Sequence, residues 1–156
     1  MKKIVVMSDN HGDDRMLEYV RECEPHADYY IHCGDSEAYH KEMLSGYICV
    51  KGNNDWALDL PQEAHLVIED MPIIITHGQH FSMFNRELAM HDFLTRNHCQ
   101  LLLFGHTHMP LFQREGDYYY INPGSTSLPR GGSDRSYAVV TIDQQQVTCE
   151  FKKIEL

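Results

Sequence analysis

The sequence has no apolar run approaching the roughly 18 residues that a membrane-spanning helix requires, so no membrane partner is expected. Its opening, Met1-Lys2-Lys3 followed by Ile4-Val5-Val6-Met7, begins like a signal peptide. The apolar stretch stops at Ser8-Asp9, and a buried strand in a cytoplasmic protein is the expectation. Positive charge is scarce. The 13 Lys and Arg stand against 23 Asp and Glu, and the net charge of −10 opposes a stable nucleic-acid complex, which depends on cations neutralising phosphates. The same charge leaves room for a small phosphorylated substrate, because bound metal cations can dominate a local field.

Cysteine is sparse and unpaired in pattern. Cys23, Cys33, Cys49, Cys99 and Cys149 are odd in number and form no Cys-x-x-Cys, which argues against a disulfide framework and fits a reducing compartment. They read as small buried apolar residues, with Cys33 set apart by lying two residues before Asp35. Internal repeats are absent too, and 156 residues with 42% hydrophobic and 23% charged content suit one domain spanning 1–156.

What is abundant is histidine, 11 in all, and His11, His77, His106 and His108 lie just beyond expected strands. Strands are expected over Lys3 to Ser8, Tyr29 to His32, Tyr47 to Val50, Glu63 to Glu69, Ile73 to Thr76 and Gln100 to Phe104. Further strands are expected over Leu111 to Arg114, Asp117 to Ile121, Tyr137 to Ile142 and Val147 to Ile154. Helical spacing covers Asp13 to Glu24 and Asn85 to Asn97, the latter with Leu88, Met90 and Leu94, and Glu37 to Leu44 suits a third helix. Strand and helix alternation followed by antiparallel strands implies an α/β sandwich of mixed sheets with helices outside.

Five polar clusters fall just beyond strand ends, where α/β folds place their sites. They are Ser8-Asp9-Asn10-His11-Gly12, Gly34-Asp35, Gly52-Asn53-Asn54-Asp55, Thr76-His77-Gly78 and Gly105-His106-Thr107-His108. Each alone reads as a turn or loop cap. Together they supply carboxylate oxygen, imidazole nitrogen and asparagine carbonyl, a mixed set suited to Mn²⁺, Ni²⁺, Fe²⁺ or Zn²⁺ rather than to Ca²⁺. The tally closes on two ions that share Asp35, one of them completed by Asp9, His11 and a histidine, the other by Asn53, His77 and another histidine.

This pattern, Asp9-x-His11, Gly34-Asp35, Gly52-Asn53-x-Asp55, Thr76-His77-Gly78 and Gly105-His106-x-His108, resembles the signature of the calcineurin-like metallophosphoesterases over nearly the whole chain. The small size and Asn122-Pro123-Gly124-Ser125 are most similar to the short prokaryotic phosphodiesterases of the YfcE-like branch. The resemblance implies a four-layer α/β sandwich, two mixed β-sheets flanked by helices, around two divalent metals with Mn²⁺ the first choice. It implies Asp9, His11 and His108 on one metal, Asn53, His77 and His106 on the other, and Asp35 between them. The implied reaction is hydrolysis of P–O bonds, most readily in a phosphodiester, by a hydroxide bridging the two metals.

One position departs from the family. Larger phosphatases of this kind carry histidine after the motif asparagine, and here that place holds Asn54, so the usual leaving-group acid is missing. Catalytic candidates are therefore Asp35, Asn54 and, as a substitute acid, His80; Asn54 and Arg130 are candidates for binding substrate. Trp56 is expected to shape the substrate entrance, and Asn122 to Ser127 to form either an anion-binding or a solvent-exposed turn. His26, His32, His40, His65, His91 and His98 are expected to be surface or core filler, and Tyr118-Tyr119-Tyr120 to cover a sheet face. Two other functions remain open: a binding scaffold that has lost turnover, as the retromer subunit similar to this family has, and a phosphomonoesterase or nucleotide pyrophosphatase. Homo-oligomerisation is left open as well.

Overall fold

The computed structural model describes residues 1–156. In chain order the elements are β1 (Lys2–Met7), α1 (Arg15–Cys23), β2 (Tyr29–His32), a 3₁₀ turn (Lys41–Leu44), β3 (Tyr47–Cys49), β4 (Glu63–Ile68), β5 (Met71–Thr76), α2 (Arg86–Arg96), β6 (Leu101–Leu103), β7 (Pro110–Glu115), β8 (Tyr118–Pro123), β9 (Ser136–Asp143) and β10 (Gln146–Lys153). They build two five-stranded sheets, ordered β10-β9-β1-β2-β3 and β4-β5-β6-β8-β7. β1, β2 and β3 run parallel, as do β5, β6 and β8, while β9, β10, β4 and β7 are antiparallel additions.

Side-chain alternation along each strand sorts residues into layers. Ile4, Val6, Ile31 and Val140 of one sheet meet Ile73, Ile75, Leu103 and Ile121 of the other in a central core. The opposite faces carry Val5 and Met7, covered by Met16, Leu17 and Val20 of α1, and Ile74, Leu102 and Tyr120, covered by Met90, Phe93 and Leu94 of α2. The result is the expected four-layer sandwich with few helices. Strands buried on both faces explain why β1, β5 and β6 read as continuous apolar runs. Neither helix is long and apolar enough to cross a membrane.

Two of the antiparallel pairs close through two-residue left-handed turns. Glu69 and Asp70 (φ 52° and 63°) join β4 to β5, and Gln144 and Gln145 (φ 49° and 68°) join β9 to β10, the left-handed geometry that matches strand twist. Three expectations are corrected here. The turn expected at Asp70-Met71-Pro72 lies at Glu69-Asp70, and Pro72 pairs with Val67 inside the hairpin, where its carbonyl accepts from the Gln100 N–H at 2.8 Å. The helix expected over Glu37 to Leu44 shrinks to the 3₁₀ turn, because Glu37 adopts φ 55°. On α2 it is Phe93 that joins Met90 and Leu94 in the core, while Leu88 faces solvent.

Candidate metal centre

The carboxyl ends of β1, β2, β3, β5 and β6 open onto one rim, and the five polar loops leave from it. Backbone bonds sew them together: Asp9 N–H donates to Gly34 O, His11 N–H to Asp35 O, and Gly105 N–H to His77 O, each at 3.0 Å. Glycine is required where loops cross. A Cβ on Gly52 would lie 2.1 Å from Asp35 Oδ1, and one on Gly105 would lie 2.1 Å from Ser8 Oγ and 2.7 Å from Asp9 Oδ2.

The backbone is bent against its preference at the site itself. Asp9, His11, Asp35, Glu37, His106 and His108 have φ of 57°, 44°, 60°, 55°, 72° and 62°. Left-handed conformations of non-glycine residues cost on the order of 1–3 kcal/mol each and concentrate where function constrains the chain. The surroundings hold them. Asp55 accepts from the backbone N–H groups of Asp35 (2.9 Å), Gly52 (2.7 Å) and Glu37 (2.8 Å). Ser8 Oγ–H donates to Asp9 Oδ2 at 2.6 Å, and the His106 N–H donates to the same oxygen at 3.0 Å.

That leaves Asp9 Oδ1 facing inward. It lies 3.3 Å from His108 Nε2, 3.6 Å from His11 Nε2 and 3.7 Å from His77 Nε2, while Asp35 Oδ2 lies 3.2 Å from His77 Nε2 and 3.8 Å from His11 Nε2. Two groups of potential ligand atoms result, Asp9/His11/His108 and Asp9/Asp35/His77, and within each group the atoms lie within 4.8 Å of one another. The proton positions follow from the outer ring nitrogens. His11 Nδ1–H donates to Glu37 Oε2 at 2.9 Å, His77 Nδ1–H to Cys33 O at 2.7 Å, and His108 Nδ1–H to Leu128 O at 2.6 Å.

With Nδ1–H committed outward, each ring in the neutral form that ligates metal turns a bare Nε2 inward. His11 Nε2 and His108 Nε2 face each other at 3.1 Å, and Asp9 Oδ1 and His77 Nε2 are buried without a hydrogen bond. A buried knot of acceptors with no donor requires positive charge at its centre, and the oxygen and nitrogen donors match a transition-metal or Mn²⁺ shell. The electrostatics favour positive charge at the same point: without a metal the Asp9 carboxylate beside His11 raises that imidazole to about 9, so a bound cation would take the place of the Nε2 proton. Burial pushes Asp9 up, yet His108, His11 and His77 hold it well below the usual carboxylate range. His106 differs: burial and the neighbouring His77 and Arg86 lower its pKa and keep it in the neutral form that ligates metal.

The structure thus brings together Asp9, His11, Asp35, His77 and His108, with the His106 ring centred 5.2 Å from that of His77. Asn53 is exposed and makes no hydrogen bond, whereas Asn54 touches Asp35 twice, through its backbone N–H (2.8 Å) and its Nδ2–H (3.1 Å). His80 stands apart, packed on Phe81 and Phe93 with Glu63 and Arg96 as its charged neighbours. Trp56 is 84% exposed. Arg130 lines a cavity with His106, and its backbone N–H donates to His108 O at 3.1 Å.

Several supporting residues were not legible in sequence. Glu37 orients His11. His32, expected as filler, is fully buried and bridges two loops by contacting Asn10 Oδ1 at 2.7 Å and accepting from the Gly34 N–H at 3.0 Å. Cys33 serves through its carbonyl, its buried thiol pushed up by desolvation. The Asn122 to Ser127 stretch is neither an exposed turn nor a free anion nest. Asn122 Nδ2–H donates to Gly105 O and Ser125 Oγ–H to Asp9 O, at 3.0 and 2.7 Å, which pins the first and last ligand loops.

A two-sheet sandwich with this donor set at its strand ends defines a metallophosphoesterase. The chain belongs to the calcineurin-like phosphoesterase superfamily, whose domain matches residues 1–145. A structure of a conserved protein from Streptococcus pneumoniae TIGR4, described as a predicted phosphoesterase, superposes with a TM-score of 0.89 at 33% identity, covering 97% of this chain and 89% of that one. Phosphodiesterase YfcE of Escherichia coli K12 is 28% identical over 171 residues, covering 92% of this chain and 89% of YfcE. Vps29 of Entamoeba histolytica, solved with Zn²⁺, shares the fold with a TM-score of 0.77 at 19% identity, covering 96% of this chain and 98% of that one.

Proposed function

We propose that the chain, acting as one domain over residues 1–156, is a phosphodiesterase that holds two divalent cations, with Mn²⁺ first among Mn²⁺, Ni²⁺, Fe²⁺ and Zn²⁺. The observation that carries this reading is the convergence of Asp9 Oδ1 and the bare Nε2 atoms of His11, His77 and His108. Asp9, His11 and His108 would hold one ion, His77, His106 and Asn53 the other, with Asp35 between them. Asn53 would have to turn inward from its exposed position to do so. When bound, the ions polarise water into a nucleophile and neutralise charge on the phosphoryl oxygens.

The protein's own groups set the selectivity. The outer bonds of His11, His77 and His108 fix each ring's orientation and tautomer. At the position after Asn53, Asn54 offers an amide and not an imidazole, so it can donate a hydrogen bond but cannot hand a proton to a leaving oxygen. His80, packed on Phe81 and Phe93, contacts none of the ligands and is a poor substitute. Esters with acidic leaving groups should react best. YfcE carries the name phosphodiesterase, which agrees with a preference for diesters over monoesters.

The scaffold alternative, raised by the fold shared with Vps29, would be expected to lose ligand side chains, and this chain retains all seven. The test is turnover of bis(p-nitrophenyl) phosphate and p-nitrophenyl phosphate under titrated Mn²⁺, Ni²⁺ and Zn²⁺. Metal-dependent hydrolysis favouring the diester is expected. A preference for the monoester would overturn the diesterase reading, and no turnover in fully loaded protein would favour the scaffold.

A further inference from the structure

A cavity of about 550 Å³ opens beside His106, walled by Phe81, Met83 and Met109 and by Arg86 and Arg130. No aspartate or glutamate lines it. The chain has seven arginines, and the other five are engaged. Arg15 pairs with Asp13, Arg21 with Glu18 and Arg96 with Asp92. Arg114 donates to Gly116 O and Arg135 to Thr126 O. The side chains of Arg86 and Arg130 make no hydrogen bond or ion pair, and Arg86 Nη1 is buried with no partner at all.

In a protein of net charge −10, two guanidinium groups without a carboxylate on one wall are conspicuous. A buried charged donor left unmatched is costly, and the cost is relieved when a ligand brings the acceptor. The backbone that carries each arginine is held in place. Arg86 is the first residue of α2, and Arg130 sits on the loop that hydrogen-bonds to His108, where a Cβ on the adjoining Gly131 would meet Met109 Sδ at 2.7 Å. The volume lies in the range of pockets that take ligands far larger than one phosphate.

We propose that this cavity binds a second phosphate of the substrate, carried on one ester arm of the diester, with Arg86 and Arg130 as its clamp and Phe81, Met83 and Met109 against the apolar part of that arm. This rests on the phosphodiesterase reading above. Two unpaired guanidinium groups match a dianionic phosphate monoester in charge and in acceptor oxygens. The competing role for the same arginines is a grip on the phosphate being cleaved, and the two roles separate experimentally.

Thymidine 5′-(p-nitrophenyl phosphate) and its 3′-phosphorylated counterpart differ only in that second phosphate. With Mn²⁺-loaded protein, kcat/KM should be about tenfold or more higher for the 3′-phosphorylated substrate, the scale of charge-assisted hydrogen bonds. Arg86→Gln and Arg130→Gln should each bring the ratio close to one. Thymidine 3′,5′-bisphosphate should also bind metal-free wild type at least fivefold more tightly than either variant. Equal kcat/KM in the wild type, a ratio that neither variant moves, equal losses on both substrates, or bisphosphate affinity unchanged in both variants would each overturn the clamp. Turnover of the simpler diester without preference sinks the clamp alone, whereas no turnover of either substrate sinks the phosphodiesterase reading with it.

Discussion

Asp55 holds Asp35 from behind, its Oδ2 accepting the Asp35 backbone N–H at 2.9 Å while the Asp35 side chain faces the histidines. The same oxygen takes the Gly52 N–H and the other oxygen takes that of Glu37, so one buried carboxylate fixes two loops and the left-handed turns at Asp35 and Glu37. In Asp55→Asn the amide end cannot accept, and at least one buried N–H is stranded. Metal-free Asp55→Asn should lose about 2 kcal/mol in urea unfolding and bind metal more weakly. Unchanged stability would show that the carboxylate is dispensable.

Glu37 acts through His11. It is partly exposed, so Glu37→Gln should change unfolding free energy little, by under about 0.5 kcal/mol. It should weaken metal affinity by roughly tenfold, the usual consequence of losing a carboxylate behind a ligating imidazole. Calorimetric Mn²⁺ titration of the two proteins decides it, and equal affinities would remove Glu37 from the site.

His32 should make the fold acid-sensitive. Desolvation pushes its pKa from 6.5 down to about 4. The unfolded chain therefore takes up a proton that the folded one refuses, and stability falls as pH drops from about 6.5 to about 4, where the loss is complete. The shift corresponds to about 3 kcal/mol. Asp9 and Asp35, held below the ordinary carboxylate range, lose their contributions at still lower pH. Urea unfolding of metal-free wild type and His32→Gln across pH 7 to 4 should show the wild type losing more; parallel curves would refute the assignment.

Asn54→His restores an imidazole where the larger phosphatases have one. A general acid contributes on the order of 10²–10⁴-fold, and only where the leaving group needs a proton. The variant should gain at least about tenfold on an alkyl diester while bis(p-nitrophenyl) phosphate changes far less. Equal gains on both would discard the leaving-group argument.

The sandwich and most of the ligand loops were legible because they rest on local signals. Apolar runs such as Ile73 to Ile75 and Leu101 to Leu103 announce strands buried on both faces, and the polar residues that follow them have nowhere to sit but the rim. What stayed hidden depends on contacts between distant segments. Nothing local marks His32 as the bridge between Asn10 and Gly34, or Glu37 as the partner of His11. The same long-range bonds, from Glu37 to Asp55 and His11, turned an expected helix into a short 3₁₀ turn. Composition along the chain also gives no hint that Arg86 and Arg130, separated by the three strands β6, β7 and β8 and their loops, share one wall.

The centre itself is tested most directly by counting metal. Protein loaded with Mn²⁺ and freed of excess should carry two ions per chain by elemental analysis. Asp35→Asn and His106→Ala should each lose at least one ion, together with diesterase turnover. Full occupancy and full activity in either variant, or a wild type that retains no ion under saturating metal, would contradict the account.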